Sequence, residues 1–254
     1  MQGYGPSSYG DGIADTYDAW YGDNPQTDLA VGALVDLTER SGSSRLLELG
    51  IGSGRLALPL AARGIDVCGV DASDAMVEQL RVKPGGRDVP VAIGDMAALD
   101  LSSIEGGNDA RFGVVVAAIN TFFNLTSTSA QQQCLERVHD VLTPRGFFVI
   151  EAFVPDVDRG TNVVEARTVE LDRVVLSASR HDHDAQTVHV QLIDIRETGI
   201  RLRPLVIHYL TLDQLDAIAV SARLELAERW RDWSRTPFAE GDEAHVSVYR
   251  RSEY

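Results

Sequence analysis

Cysteine and long apolar runs are scarce in this sequence, and each shortage excludes a class of protein. Cys68 and Cys134 are the only cysteines in 254 residues, and they lie in apolar segments without metal-ligand spacing. We therefore expect packed thiols in a reducing compartment rather than a disulfide or a zinc site. No apolar run reaches the roughly 18 residues of a membrane span, and the N-terminus lacks a basic-then-apolar secretory pattern. These absences predict a cytoplasmic protein without membrane contact.

Basic residues are also few, so the charge balance is strongly acidic. Lysine and arginine together number 23, against 38 aspartates and glutamates, which gives a formal net charge of −15. A chain this acidic repels a phosphate backbone unless its basic residues cluster, and no run rich in Lys or Arg occurs. We therefore expect no nucleic-acid partner. The hydrophobic content of 44% is ordinary for a soluble globular enzyme.

The order of predicted elements indicates an α/β fold with an antiparallel insertion. From Arg45 onward, short apolar strands alternate with helical stretches, which is typical of a parallel sheet covered on both faces. After Pro155 the apolar residues alternate with polar ones instead, and this pattern predicts antiparallel strands. We divide the chain into an N-terminal arm with helices (1–42), an α/β core (43–154 and 211–254) and an antiparallel β insertion (155–210).

The stretch ELGIGSGRL, residues 48–56, carries the most specific chemical signal. Its three glycines follow a predicted strand and open a helix, so their backbone amides can approach a ligand closely. A dinucleotide fingerprint would need glycine where Arg55 stands, which counts against a nicotinamide or flavin cofactor without excluding one. Glu48 stands before the first glycine, and a carboxylate there favours a ligand that carries an ammonium group.

Two neighbouring strands also end in acidic residues. Asp71 ends the second strand and is placed to accept hydrogen bonds from ribose hydroxyls, while Asp95 follows the third strand. Ligands of such sheets bind at the carboxyl ends of the strands. Three acidic strand ends around one pocket predict a nucleoside that carries positive charge.

Four stretches, in this order and spacing, resemble the class I S-adenosylmethionine-dependent methyltransferases: LLELGIGSGRL, VCGVDASDAM, AIGDM and FGVVVAAINTFFNLT. The resemblance implies a Rossmann-like sheet of seven strands that binds S-adenosylmethionine within the α/β core. It also implies the following donor-binding residues: Glu48, Gly50, Gly52 and Gly54 for the methionine part, Asp71 for the ribose, Ala72 and Met76 beside the adenine, Asp95 and Met96 at its polar edge, and the Ala117 carbonyl for the amino group.

The N-terminal arm resembles the lid of small-molecule N-methyltransferases of the glycine N-methyltransferase type. The first part, MQGYGPSSYGDG, reads as a loose segment, and IADTYDAWYGDN reads as a short helix. In the resembling family a similar YxDG…YxGD stretch folds over the cofactor. The resemblance therefore implies that Tyr9, Tyr17 and Tyr21 cap the methionine carboxylate. From composition alone, these aromatic residues could equally fasten the arm to the body.

The acceptor is less well defined than the donor. The segment AINTFF lacks the signature of adenine N-methyltransferases, and the aspartate cluster of magnesium-dependent catechol enzymes is missing, so we expect a small-molecule acceptor and no metal.

Asn124 follows the fourth strand, where this fold presents acceptor contacts; the similar aminosugar N-methyltransferases tend to carry His there. His208 and Tyr209, which end the last inserted strand, are the other predicted catalytic residues, although a cross-strand role fits His208 equally well. Glu151 could either contact the acceptor or cap the following turn.

We therefore predict metal-independent methyl transfer to an amine or hydroxyl of a small molecule, either a specialised metabolite or a sugar nucleotide. In-line displacement from a sulfonium depends mainly on near-attack geometry with water excluded. A base is required only where the acceptor is a poor nucleophile, as a hydroxyl is. Two alternatives stay open: an NAD(P)-dependent oxidoreductase with the same glycine loop, and a non-catalytic S-adenosylmethionine-binding protein. The resemblance also suggests that the β insertion makes a homodimer contact.

Overall fold

A computed structural model describes residues 3–22, 24–156 and 160–252. The apolar strands build a central sheet of seven strands. Its spatial order is β10 (Leu224–Trp230), β11 (Ala244–Arg251), β5 (Leu142–Phe153), β4 (Phe112–Ala117), β1 (Arg45–Leu49), β2 (Asp66–Asp71) and β3 (Val91–Ile93). Neighbours from β5 to β3 are parallel, whereas β11 is antiparallel to both of its neighbours. The predicted seven-stranded α/β sheet is thus confirmed.

Helices cover both faces of this sheet, as the apolar character of its strands requires. They are α3 (Gln26–Ser41), α4 (Ala57–Ala62), α5 (Asp74–Arg81), α6 (Thr128–Val141) and α7 (Leu212–Ser221). Successive strand residues face opposite sides, so Leu46 packs into one hydrophobic core and Leu47 into the other. None of the helices in the described parts of the chain is long and apolar enough to cross a membrane.

A second, antiparallel sheet lies between β5 and α7 in the chain. Its strands are β6 (Asn162–Val169), β7 (Arg173–Asp182), β8 (Thr187–Arg196) and β9 (Gly199–His208), paired in that order. These strands fall within the insertion predicted over 155–210. The division of the chain at residues 155 and 210 stays a prediction.

The N-terminal arm forms two short helices, α1 (Ser8–Ile13) and α2 (Tyr17–Tyr21). The expectation of a loose segment up to residue 12 is wrong, because α1 packs against both α5 and β9. Ile13 is fully buried in the core. Gly10 lies so close to Ser73 that an added Cβ would stand 2.5 Å from the serine Cβ. Tertiary contacts thus order a segment whose glycine and serine content is typical of loops.

Two glycine-to-alanine changes should have opposite effects on stability. An added Cβ at Gly69, in the middle of β2, would stand 2.3 Å from Cδ1 of buried Ile51, whereas Gly32 in α3 has nothing within 4 Å. We expect Gly69→Ala to lower the free energy of unfolding by about 1–3 kcal/mol through overpacking. Gly32→Ala should raise it by roughly 0.5–1 kcal/mol through helix propensity. Urea denaturation of both variants tests this, and a Gly69→Ala protein as stable as the wild type would contradict the packing described.

Candidate active site

A cavity of about 240 Å³ lies at the carboxyl ends of the central strands, beneath the N-terminal arm. The loops that follow the parallel strands lie at this edge of the sheet, and the N-terminal arm covers the cavity. The cavity brings together ten of the predicted site residues: Tyr9, Tyr17, Gly50, Gly52, Asp71, Ala72, Met76, Asp95, Met96 and Asn124. Tyr21, Glu48, Gly54, Ala117, His208 and Tyr209 are described by the structure but do not line it.

The glycine loop after β1 is approached closely from three directions. All three of its glycines have left-handed φ angles, of 67°, 56° and 83° for Gly50, Gly52 and Gly54. A Cβ at Gly50 would stand 2.6 Å from Thr121 Cγ2, and one at Gly52 would stand 2.9 Å from Met76 Cε. A Cβ at Gly54 would instead meet Leu80 of α5 at 2.4 Å. Gly50 and Gly52 therefore shape the cavity, and Gly54 permits helix packing behind it.

Asp71 holds the glycine loop in place. One of its carboxylate oxygens accepts a hydrogen bond from the Gly52 amide at 2.7 Å, and the other accepts one from the Ser73 amide at 2.9 Å. Burial raises the pKa of this carboxyl, and the two backbone donors oppose that rise. Each oxygen has a second lone pair, so the side chain can still accept from a ligand in the cavity.

One end of the cavity is built from the loops after β2 and β3. Met76 is nearly buried in α5, whose N-cap residue Ser73 accepts a hydrogen bond from the Met76 amide at 3.2 Å. Asp95 accepts from the Ala97 amide at 2.9 Å, which orders the turn after β3. Met76, Asp95 and the adjoining Met96 all line this end of the cavity.

Glu48 is a buried acid behind the glycine loop. It is 5% exposed, and its Oε2 atom has no hydrogen-bond partner among the described residues. Burial raises the pKa of Glu48 to about 8; nearby Arg55 opposes this rise and Asp71 adds to it. A buried carboxyl with one oxygen free of hydrogen bonds favours the approach of a cation, because its charged form is otherwise poorly solvated. This is the electrostatic property expected of a residue beside a ligand ammonium.

The lid tyrosines present neutral hydroxyl groups to the site. Tyr9 and Tyr17 line the cavity, and the ring of Tyr21 packs on that of Tyr17 with centroids 4.9 Å apart. Burial raises the pKa of Tyr17 to about 12 and also raises that of Tyr9. Both hydroxyls therefore stay protonated near neutral pH and can donate hydrogen bonds to an anionic group.

Three aspartates of the arm attach it to three different parts of the body. Asp11 accepts a hydrogen bond from the Ser73 hydroxyl at 2.7 Å, and Asp15 pairs with Arg203 of β9 at 2.7 Å. Asp18 accepts from the Ser53 hydroxyl at 2.6 Å and pairs with Lys83 at 2.8 Å. The arm is thereby tied at once to the glycine loop, to α5 and to the β insertion.

The predicted acceptor contacts separate in the structure. Asn124 lines the cavity, but the Nε2 atom of His208 lies 3.0 Å from the Thr128 hydroxyl at the start of α6. The Tyr209 hydroxyl lies 3.5 Å from Nδ1 of His183. His208 and Tyr209 are 8% and 5% exposed. Their proposed catalytic part stays a prediction without support from the lining of the cavity.

Sequence reasoning did not select several neutral residues that line the cavity. Tyr4 and Pro6 come from the arm, and Ile119, Leu125, Thr126 and Ala130 come from the segment after β4. Tyr4 belongs to the aromatic arm, which was a usable signal, whereas Thr126 offered none.

Across residues 3–22, 24–156 and 160–252, no group of three or more His, Cys, Asp and Glu side chains could hold a metal ion.

Replacing Glu48 by glutamine should stabilise the protein increasingly as pH rises. The folded state holds the Glu48 proton up to about pH 8, whereas the ordinary pKa is 4.5. Between these values unfolding releases a proton. The stabilisation that Glu48 adds to the free energy of unfolding is therefore fully present below about pH 4.5 and is lost as pH rises through 8. Glu48→Gln does not titrate in this range. The stability of Glu48→Gln minus that of the wild type, from urea denaturation, should grow by up to ~1.4 kcal/mol per pH unit and then level off; a flat difference would contradict the burial described.

Comparison with known proteins agrees with this geometry. A family model described as a methyltransferase domain matches residues 46–146. The structure of the CcbJ methyltransferase from Streptomyces caelestis is 37% identical and superposes with a TM-score of 0.86, over 98% of this chain and 100% of that chain. SAM-bound CalS10, an amino pentose methyltransferase from Micromonospora echinaspora, is 22% identical with a TM-score of 0.69, over 93% of this chain and 97% of that chain, which shows the shared fold.

A curated relative, a putative methyltransferase from Geobacillus sp. (strain WCH70), is 27% identical over 112 residues, or 44% of this chain. The match spans 43% of that relative's length. These findings identify a methyltransferase rather than the alternative of an oxidoreductase. S-adenosylmethionine is therefore the expected cofactor. The chain belongs to the S-adenosylmethionine-dependent methyltransferases.

Proposed function

We propose that this protein transfers a methyl group from S-adenosylmethionine to an amine or hydroxyl of a small molecule, either a specialised metabolite or a sugar nucleotide. The observation that carries this proposal is one cavity with an acidic, glycine-lined donor side and a neutral side formed by residues after β4. Among the described lining residues there is no Lys or Arg, so nothing in the lining would repel a cationic donor. We further propose that the protein works in the cytoplasm, without nucleic-acid or membrane partners.

The described residues fit the donor that the family uses. The Oε2 atom of Glu48, which has no hydrogen-bond partner among the described residues, and the close approach at Gly50 and Gly52 suit the methionine part. Asp71 would accept from the ribose, while Ala72, Met76, Asp95 and Met96 would enclose the adenine. We propose that the protonated Tyr9 and Tyr17 hydroxyls donate to the methionine carboxylate, with Tyr21 supporting Tyr17. Gly54 acts through packing, and the Ala117 carbonyl at the end of β4 remains a proposed contact for the amino group.

The chain would promote transfer mainly by orientation and by exclusion of water. S-adenosylmethionine supplies an electrophilic methyl group when bound. The arm, tied down through Asp11, Asp15 and Asp18, closes the cavity, and a dry site strengthens the electrostatic interactions within it. An amine acceptor needs only to be neutral. We therefore favour an amine over a hydroxyl, with Asn124 as the acceptor contact. His208 and Tyr209, which do not line the cavity, would support the acceptor side from outside it.

The similar structures give this acceptor class independent support. CalS10 is named as an amino pentose methyltransferase, and KedS8 from Streptoalloteichus sp. as a sugar N-methyltransferase. MtfA is named as a glycopeptide N-methyltransferase. These proteins are at most 22% identical to this chain, so their substrates guide the choice of compounds to test.

Incubation with radiolabelled S-adenosylmethionine tests the proposal. We expect label in small amines or amino sugars, separated by chromatography from the protein, when wild-type protein is used. Asp71→Ala should weaken S-adenosylhomocysteine binding in calorimetry by about 1.5–3 kcal/mol, the worth of hydrogen bonds to a charged group, and should reduce transfer. Asp66→Ala, at the exposed opposite end of β2, is the matched control and should change neither. Tight donor binding with no transfer to any amine or hydroxyl would favour a non-catalytic binding protein instead.

We also propose a homodimer formed through the β insertion. One face of its sheet carries apolar side chains that are largely exposed: Val164, Val169, Ile200 and Leu202, at 59% to 74% exposure. Strand pairing places the four on one face, since Leu202 lies opposite Ile193 and Ile200 lies opposite Ile195, two residues further along β8. An exposed apolar face of this kind favours a partner surface over solvent.

Leu202→Glu should convert this dimer to a monomer, because a carboxylate would be buried without a partner at the interface. Light scattering after size-exclusion chromatography measures the mass. The matched control Leu226→Glu, at an exposed residue of β10, should leave the dimer intact. A wild-type protein that is monomeric at high concentration would refute the proposal.

A further inference from the structure

The turn after β4 contains two consecutive residues in a conformation that favours glycine, although neither is glycine. Ile119 has φ of 42° and Asn120 has φ of 60°. Asparagine tolerates this region, whereas a β-branched residue there is a genuine outlier. Such residues cost of order 1–3 kcal/mol each and persist only where the surroundings enforce them. Something outside the turn must therefore hold it.

Glu151 on β5 supplies that restraint. Its side-chain Oε2 accepts a hydrogen bond from the Ile119 amide at 2.8 Å, and its main-chain carbonyl accepts one from the Asn120 amide at 2.9 Å. The Asn120 side chain in turn accepts from the Phe153 amide at 2.8 Å. The three bonds attach both left-handed residues to the end of β5, and the bond to the carboxylate is the stronger, charge-assisted kind.

The turn forms part of the wall between the two sides of the cavity. Ile119 and Thr121 line the cavity, and Asn124 lines it one helical turn later. Thr121 Cγ2 occupies the space that a side chain at residue 50 would need, because a Cβ on Gly50 would lie 2.6 Å from it. The position of the turn therefore determines how the glycine loop and the acceptor side meet.

We propose that Glu151 is a positioning residue of this site. Its carboxylate holds the left-handed turn at Ile119 and Asn120 against the glycine loop, and so sets the boundary between donor and acceptor. Glu151 does not line the cavity itself. The hydrogen bond to the Ile119 amide is a third part for Glu151, beside the two that the sequence left open, which were contact with the acceptor and capping of the turn after β5. The inference rests on the proposed use of this cavity for the methyl donor.

A double-mutant cycle with Ile119→Gly separates positioning from general stability. Glycine adopts left-handed φ freely, so the turn in an Ile119→Gly background should no longer need the carboxylate. We expect Glu151→Ala to weaken S-adenosylhomocysteine binding about tenfold in the wild-type background, the effect of one lost hydrogen bond to a charged group. In the Ile119→Gly background the same change should weaken binding less than about threefold, a non-additivity that signals direct coupling.

Two further variants complete the calorimetric experiment. Glu151→Gln keeps an oxygen that can accept from the Ile119 amide and should bind within about threefold of wild type, while Glu136→Ala, on the exposed face of α6, serves as the control. If Glu151→Ala does not fold, Glu151→Asp, whose shorter side chain cannot reach the amide, takes its place in the cycle. Equal weakening in both backgrounds, or none in either, overturns the inference. Failure of the wild-type protein to bind S-adenosylhomocysteine would instead refute the proposed function.

Discussion

The close backbone approach at the glycine loop is the constraint on which the rest of the site depends. Gly50 and Gly52 let Thr121 and Met76 come within distances that any side chain would block, and Gly54 does the same for Leu80. The hydrogen bond from the Gly52 amide to Asp71 then joins the loop to the end of β2. Because elements that follow three strands, β1, β2 and β4, meet at this one loop, a displacement there would alter the shape of the cavity.

The acidic residues around the site fall into two groups, those of the N-terminal arm and those buried at the cavity. In the arm, Asp15 and Asp18 are paired with Arg203 and Lys83, so their charge is used to fasten the lid. Burial raises the pKa values of Glu48, behind the cavity, and of Asp71, in the lining of the cavity. A bound cation would offset that unfavourable burial, whereas a neutral or anionic ligand would not. The proposed preference for a positively charged donor thus rests on the burial of Glu48 and Asp71, which a bound cation would compensate.

Much of this arrangement could be predicted from the sequence because it depends on local pattern. Alternation of strands and helices predicts the sheet, and a parallel sheet places Asp71 and Asp95 at the same edge. Tertiary contacts were harder to foresee: α1 forms in a loop-like segment because Gly10 fits against Ser73. The catalytic part of His208 and Tyr209 stays a prediction: β9 ends at His208, whose Nε2 atom lies 3.0 Å from the Thr128 hydroxyl.

The turn at Ile119 shows why the remaining features escape sequence reasoning. Isoleucine has a strong preference for extended backbone, so its local propensity predicts the opposite of the left-handed conformation found. The carboxylate of Glu151, 32 residues further along the chain, accepts a hydrogen bond from the Ile119 amide in that conformation. Violations of local preference tend to concentrate where function requires them. In this fold the violation lies at the turn where the glycine loop meets the residues after β4. Glu151, which holds that turn, does not itself line the cavity.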